Sequence, residues 1–167
     1  MKVLLASHMG MCFGVKDAIE VSESVAAPEL VTIHGELVHN RDVQRHLTSR
    51  GFHTSSESQR ARLPKSPLVL ITAHGVSNTE RERLEAAGKQ LIDTTCPLVR
   101  RVHQAALQLE ERNGFVVIVG RHGHVEVEGI VGDLNAYAVI QSRDEVENFG
   151  RSRLGVLSQS TTPPWLF

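Results

Sequence analysis

Nine histidines and two cysteines carry most of the chemical potential of this 167-residue chain. Histidine supplies metal ligands, proton donors and anion partners near neutral pH. His39, His74 and His124 each lie beside a Gly or an Asn where an apolar run has just ended. Three imidazoles converging there could hold an anion or relay protons. Glu126 follows two residues after His124. In the first turn of a helix its charge would be favoured by the dipole. In a closed pocket it would instead be a proton donor, its pKa raised by exclusion of water. Glu128 competes for that role. His8, His34, His46, His53, His103 and His122 read as solvated or locally hydrogen-bonded. Cys12 and Cys96 both fall between an expected strand and an expected helix start, where a thiolate gains from the helix dipole and free N–H groups. The other reading is two buried, inert thiols. Neither CxxC nor HExxH occurs, so spacing alone identifies no metal. The phosphate loop GxxxxGK[ST] and a proper GxGxxG are absent too. Ser77, Ser160 and Thr161 are suitable hydroxyl donors for a diphosphate at a helix N-terminus, or simply helix caps.

These residues need elements to position them. Short apolar runs at Val3–Ala6, Leu30–Ile33, Leu68–Thr72, Gln90–Asp93, Phe115–Val119, Tyr137–Ile140 and Leu154–Leu157 fit strands buried on both faces of a parallel sheet. Helical patterns lie between them at Val15–Ala26 and Asn78–Ala87. A third holds Leu98, Val99, Val102, Ala105, Ala106 and Leu109 on one stripe. Gly88 and Gly114 sit where C-terminal caps belong. Within the polar stretch His53–Pro67, Ser55–Ser66 reads as a surface loop or short helix. Strand alternating with helix implies an α/β fold of two lobes with mostly parallel sheets. The seam at Cys96–Pro97 divides the chain into lobes 1–96 and 97–167. The polar residues recur at the carboxyl ends of the strands, where open parallel sheets bind ligands.

The balance of 18 basic and 19 acidic residues argues against a nucleic-acid-coating protein and a polybasic membrane anchor. No apolar run approaches the roughly 18 residues of a membrane helix. The run at the N-terminus is too short for a signal peptide. Two cysteines make no disulfide framework, so a reduced, cytoplasmic setting is expected.

Six segments, in this order, carry a resemblance: Gly10-Met11-Cys12-Phe13-Gly14-Val15, Val38-His39-Asn40-Arg41, Ala73-His74-Gly75-Val76-Ser77, Asp93-Thr94-Thr95-Cys96-Pro97-Leu98-Val99, Gly123-His124-Val125-Glu126-Val127-Glu128-Gly129 and Gln159-Ser160-Thr161. Together they resemble the 4-hydroxy-3-methylbut-2-enyl diphosphate reductase family (IspH/LytB) of the non-mevalonate isoprenoid route. The resemblance implies three α/β lobes around a 4Fe-4S cluster held by three Cys, with Cys12 and Cys96 matching two of them. It implies His39 and His74 at the diphosphate, His124 near the substrate hydroxyl and Glu126 as the acid. Ser160 matches a hydroxyl position usually filled by Thr, with Thr161 beside it. The reaction is a two-electron reductive dehydration of an allylic diphosphate to isopentenyl and dimethylallyl diphosphates, with ferredoxin or flavodoxin as electron donor. The sequence also departs from the pattern. A third Cys and the third family lobe are missing, Ser7-His8-Met9 replaces an Asn-Pro-Arg stretch, and Phe13 stands where a small residue is usual. Three readings follow: a partial reductase, a divergent enzyme whose missing ligands come from self-association or a partner chain, and a non-redox module that kept a metal or diphosphate site.

Overall fold

Buried β-branched runs can only pair in parallel if something crosses over between them, and the helical stretches do so here. The computed structural model describes residues 2–4 and 10–162. Its first sheet holds β1 (Val31–His34), β2 (His53–Ser55), β3 (Leu68–Ile71) and β4 (Gln90–Asp93) in the order β2-β1-β3-β4, every pair parallel. The second holds β5 (Phe115–Val119), β6 (Tyr137–Ile140) and β7 (Leu154–Ser158) in the order β6-β5-β7, also parallel. The central strands β1, β3 and β5 are almost wholly buried, which is why they read as continuous apolar runs.

Each helix starts where its sequence tells it to. α1 (Phe13–Ser24) follows Cys12, and α4 (Pro97–Glu111) follows Cys96 with Pro at its first position. α2 (Arg41–Ser49) is capped by Asn40, whose side chain accepts the N–H groups of Asp42 and Val43. α3 (Asn78–Ala86) is capped by Ser77, and α5 (Val125–Val131) by His124. The α4 stripe packs with α5 on the second sheet, placing Val102, Ala106 and Leu109 against Val116, Ile118, Val127 and Ile130.

The two sheets are clasped through α5. A Cβ on Gly132 would stand 2.8 Å from Ser77 Cβ, and one on Gly129 would stand 3.2 Å from His103 Cε1. The Asp133 carboxylate accepts the N–H of Asn78 at 2.6 Å, and the N–H and hydroxyl of Thr79 at 2.9 and 3.0 Å. An acid after α5 thus caps α3 from across the seam.

Several expectations need correction. Val3 and Leu4 are exposed and belong to no strand. An apolar run becomes a strand only where a neighbour accepts its hydrogen bonds. The rest of that run, and Ser7-His8-Met9, lie outside the described residues, as does Pro163-Pro164. Asn113, not Gly114, takes the left-handed conformation after α4, whereas Gly88 does so after α3. The polar stretch holds a helical turn at Glu57–Gln59, in keeping with its short-helix reading, but before it lies an edge strand, β2, that the sequence pattern does not mark. β2 is polar because it lies at the sheet edge and is mostly exposed.

Candidate functional site

The strand exits are zipped together beyond the sheets. The Ala73 N–H donates to Leu37 O at 3.3 Å, and the Cys96 N–H to Ala73 O at 3.0 Å. The turns carrying His39, His74 and Cys96 therefore run side by side. In the second sheet the Gln159 N–H donates to Val119 O and the Gly120 N–H to Ile140 O, both at 2.9 Å. The clasp through Asp133 and α5 brings this second set of turns against the first.

The result is an imidazole cluster drawn from both sheets. Ring centroids of His39 and His74 are 4.5 Å apart, those of His39 and His124 5.5 Å, and those of His74 and His124 5.7 Å. Each ring is fixed differently. His39 Nδ1 lies 3.0 Å from Glu36 Oε2, so it donates to the carboxylate. His124 Nδ1 accepts the Glu126 N–H at 3.2 Å, so a neutral His124 carries its proton on Nε2. His74 Nδ1 is buried and has no partner among the described residues. Burial, with the neighbouring His39 and His124, pushes His74 down to about 4. His124 is also held below the usual histidine range, first by burial and then by His39 and Arg121. At neutral pH His74 and His124 are therefore uncharged. An anion placed among these rings would favour their charged forms and bring protons with it.

Glu126 is the next shell inward, only 1% exposed. Its Oε1 accepts the Ser160 N–H at 2.6 Å, and its Oε2 lies 2.8 Å from the Ser160 hydroxyl. Burial raises its pKa, and the two bonds from Ser160 only partly oppose this. Glu128 has the same helix but the opposite environment, being exposed. The Gln159 side chain finishes the turn: its Oε1 accepts the Arg121 N–H at 3.0 Å, and its Nε2 donates to Thr161 Oγ1 at 2.7 Å. A cavity of about 320 Å³ opens here, lined by Gly120, Arg121, His124, Gln141, Gln159 and Thr161.

The cysteines form a second locus. Cys12 and Cys96 are the residues immediately before α1 and α4, and both thiols are free. A Cβ on Gly14 would come within 2.5 Å of Cys96 Sγ and 2.9 Å of its Cβ. The bare glycine lets the first turn of α1, two residues from Cys12, press against the second thiol. Cys12 is exposed and Cys96 half-buried, which is not the inert buried pair. Asp93 braces the Cys96 turn. Its Oδ1 accepts the Thr95 N–H at 2.9 Å and the Thr95 hydroxyl at 2.6 Å, while Arg81 and Arg100 approach its Oδ2 at 2.8 and 3.1 Å. Two thiols at helix starts suit part of a soft-metal or iron–sulfur ligand set. Among the described residues, no group of three His, Cys, Asp or Glu side chains could hold a metal ion by itself.

Ser77 serves as the α3 cap, its hydroxyl accepting the Glu80 N–H at 3.1 Å. Sequence reasoning missed the supporting residues Glu36, Gln159 and Asp133. Asp93 alone had a local signal, since Asp-x-Thr before a helix start reads as an Asx turn. Among the described residues no helix is long and apolar enough to cross a membrane.

Comparison with known proteins agrees with this arrangement. The family model described as LytB protein matches residues 3–167. The 4-hydroxy-3-methylbut-2-enyl diphosphate reductase of Caldanaerobacter subterraneus subsp. tengcongensis is 36% identical over 154 residues, covering 89% of this chain and 53% of that protein. The enzyme of the same description from Aquifex aeolicus is 32% identical over 166 residues, covering 95% and 56%. A solved structure of (E)-4-hydroxy-3-methyl-but-2-enyl diphosphate reductase superposes with a TM-score of 0.80 at 32% identity, over 98% of this chain and 59% of that one. The Plasmodium falciparum reductase structure gives a TM-score of 0.83 at 26% identity, over 94% and 51%. The chain thus spans about half the length of the curated relatives it matches.

Proposed function

Because the chain belongs to the LytB family, we propose that it carries the diphosphate-gripping and proton-donating part of a 4-hydroxy-3-methylbut-2-enyl diphosphate reductase. The carrying observation is the convergence of His39, His74 and His124 from two sheets within 5.7 Å of one another, with Glu126 buried behind them. The reaction adds two electrons and two protons, replaces the allylic hydroxyl by hydrogen, and releases water.

In this reading His39 and His74 bind the diphosphate. Burial and its neighbours make His74 hard to charge alone, so the anion's arrival is what makes its protonation favourable. His124 offers its Nε2 proton toward the substrate hydroxyl. Glu126, protonated more readily than an exposed glutamate, holds a proton at Oε2 beside the Ser160 hydroxyl. Ser160 passes that proton outward, and Thr161, oriented by Gln159, helps line the path. Cys12 and Cys96 would hold two irons of an iron–sulfur cluster. When bound, such a cluster supplies electrons one at a time and an open iron that acts as a Lewis acid toward a poor leaving group. Electrons would come from a small carrier such as ferredoxin or flavodoxin. The lobe boundary is taken at Cys96–Pro97, where the last strand of the first sheet leads into the helix packed on the second. A self-associated copy or a partner chain is one source of further thiolates.

A second reading is favoured by one fact: the imidazole cluster is assembled within this chain while Cys12 stays exposed. On that reading the chain is a diphosphate-binding module without redox turnover. Anaerobic reconstitution with iron and sulfide, followed by turnover of the allylic diphosphate with a chemical reductant, separates them. Turnover that falls at least about a hundredfold in Glu126→Gln supports the reductase. Tight pyrophosphate binding with no turnover supports the module.

A further inference from the structure

The polar segment Glu57–Arg60 lies in a stretch that sequence alone assigns to the surface, yet it reaches beneath the imidazole cluster. Glu57 Oε1 accepts the N–H of Glu36 at 2.8 Å. Glu36 in turn holds His39 Nδ1 through its own Oε2 at 3.0 Å. Glu57 Oε2 is paired with Arg60 Nε at 2.6 Å, both side chains largely buried. Arg60 Nη2 lies 3.4 Å from the Thr72 hydroxyl, two residues before His74.

The turn after β1 is shaped around this pair. Gly35 has φ of +106°, and a Cβ there would stand 2.5 Å from Glu57 Oε1 and collide with the Arg60 guanidinium. Only a glycine allows both the backbone conformation and the approach. The segment is itself anchored. Arg83 of α3 donates to the carbonyl of Arg60 at 3.0 Å and to that of Ala61 at 3.3 Å, while pairing with Glu80 at 2.7 Å. Glu80 also accepts from the fully buried His34 at 2.9 Å. This partly buried charged network ties the segment to α3 and β1, although His34 Nδ1 finds no partner among the described residues.

We propose that Glu57 and Arg60 are positioning residues for the His39–His74 pair. Glu57 fixes the Glu36 turn that orients His39, and Arg60 links that turn to the strand exit before His74. This rests on the reading of the cluster as a diphosphate site. Arg60 also adds positive charge near both His34 and His74, opposing their protonation. The other groups facing His74 are His39, His124 and Glu36.

The test uses the full chain with 15N-labelled histidine, and Glu57→Ala, Glu57→Gln and Arg60→Lys variants. Imidazole 15N shifts report the Nδ1 hydrogen bond of His39 and the titration of His74. Inorganic pyrophosphate titrations report binding. Glu57→Ala is expected to move the His39 Nδ1 resonance and weaken pyrophosphate about tenfold. Glu57→Gln, which keeps an acceptor for the Glu36 N–H, recovers most of the affinity. Arg60→Lys, keeping the charge without the planar fork, falls between. Unmoved His39 and His74 signals in Glu57→Ala, with its fold intact by circular dichroism, overturn the proposal. So does a Gln variant as impaired as the Ala variant. A wild-type chain that ignores pyrophosphate overturns the diphosphate reading instead. The histidine signals then still decide the positioning.

Discussion

The imidazole cluster and the thiol pair are built by one device, a turn feeding a helix start, but they end in different states. Around the imidazoles most polar groups have found partners within the chain: Glu36 for His39, the Glu126 N–H for His124, Ser160 for Glu126. Around the thiols, among the described residues, Asp93 with its arginines and the Cys96 N–H bond to Ala73 O brace the backbone, but neither thiol has a side-chain partner of this kind. Cys12 is exposed, and the residues following each helix start, Phe13 and Leu98, are 51% and 47% exposed. A hydrogen-bonded site is preorganised and tolerates water at its mouth. A soft-metal site rimmed by exposed apolar groups is still open to water, which a dry redox centre must exclude. Contacts within this chain thus set the imidazole cluster, whereas the thiol pair is left open at its rim.

The sharpest way to separate the two regions is Gly14→Ala. Alanine favours a helix by roughly 1 kcal/mol, yet its methyl meets Cys96 Sγ at 2.5 Å. Iron retained per chain after anaerobic reconstitution should fall at least about tenfold. Pyrophosphate affinity should stay within about twofold, since the imidazoles do not touch Gly14. Equal losses at both sites would merge the regions.

The next effect is acid sensitivity. A histidine whose pKa is depressed in the fold stabilises it above the unfolded value of 6.5, and that stability is lost as pH falls toward the folded value. His74, held to about 4, should cost on the order of 3 kcal/mol between pH 6.5 and 4. Urea unfolding at pH 7 and 4.5 reads the difference, and His74→Gln should flatten it. His34, buried with an unpartnered Nδ1, shifts in the same direction.

Glu126 works with the opposite sign. Its folded pKa is raised, so its contribution is present at low pH and lost as pH rises through that raised value. Glu126→Gln should remove this slope at little cost, because an amide keeps acceptor contact with the Ser160 N–H. Glu126→Ala leaves Ser160 facing a void and should cost about 2–3 kcal/mol. Smallest is Asp133→Ala, which frees the first N–H groups of α3 and should lower stability by about 1–2 kcal/mol. Its distinctive trace would be a weaker coupling between His124 and the His39–His74 pair.

Much of the fold is legible in the sequence because buried parallel strands are continuous apolar runs. β4, β5 and β6 begin and end where their runs do, β3 and β7 differ by one residue at one end, and β1 is shifted by one residue at both. What hides is polar. α2 offers only Val43 and Leu47 as apolar residues between Arg41 and Ser49, so its stripe is too thin to read, though Asn40 is a good cap. β2 is His-Thr-Ser at an edge. The site shows the same split. His39, His74, His124, Glu126 and Ser160 stand out by position at strand exits. Glu57 and Asp133 do not, because their partners are 21 to 55 residues away, and Arg60 reaches Thr72 only through the fold. Only the fold makes those pairs.

The most direct test of the central claim is calorimetric titration of inorganic pyrophosphate into the full chain, repeated in buffers of different ionisation enthalpy. The account predicts one pyrophosphate per chain, net proton uptake on binding near neutral pH, and loss of that uptake in His39→Ala and His74→Ala. Binding without proton uptake, or unchanged in both variants, would contradict it.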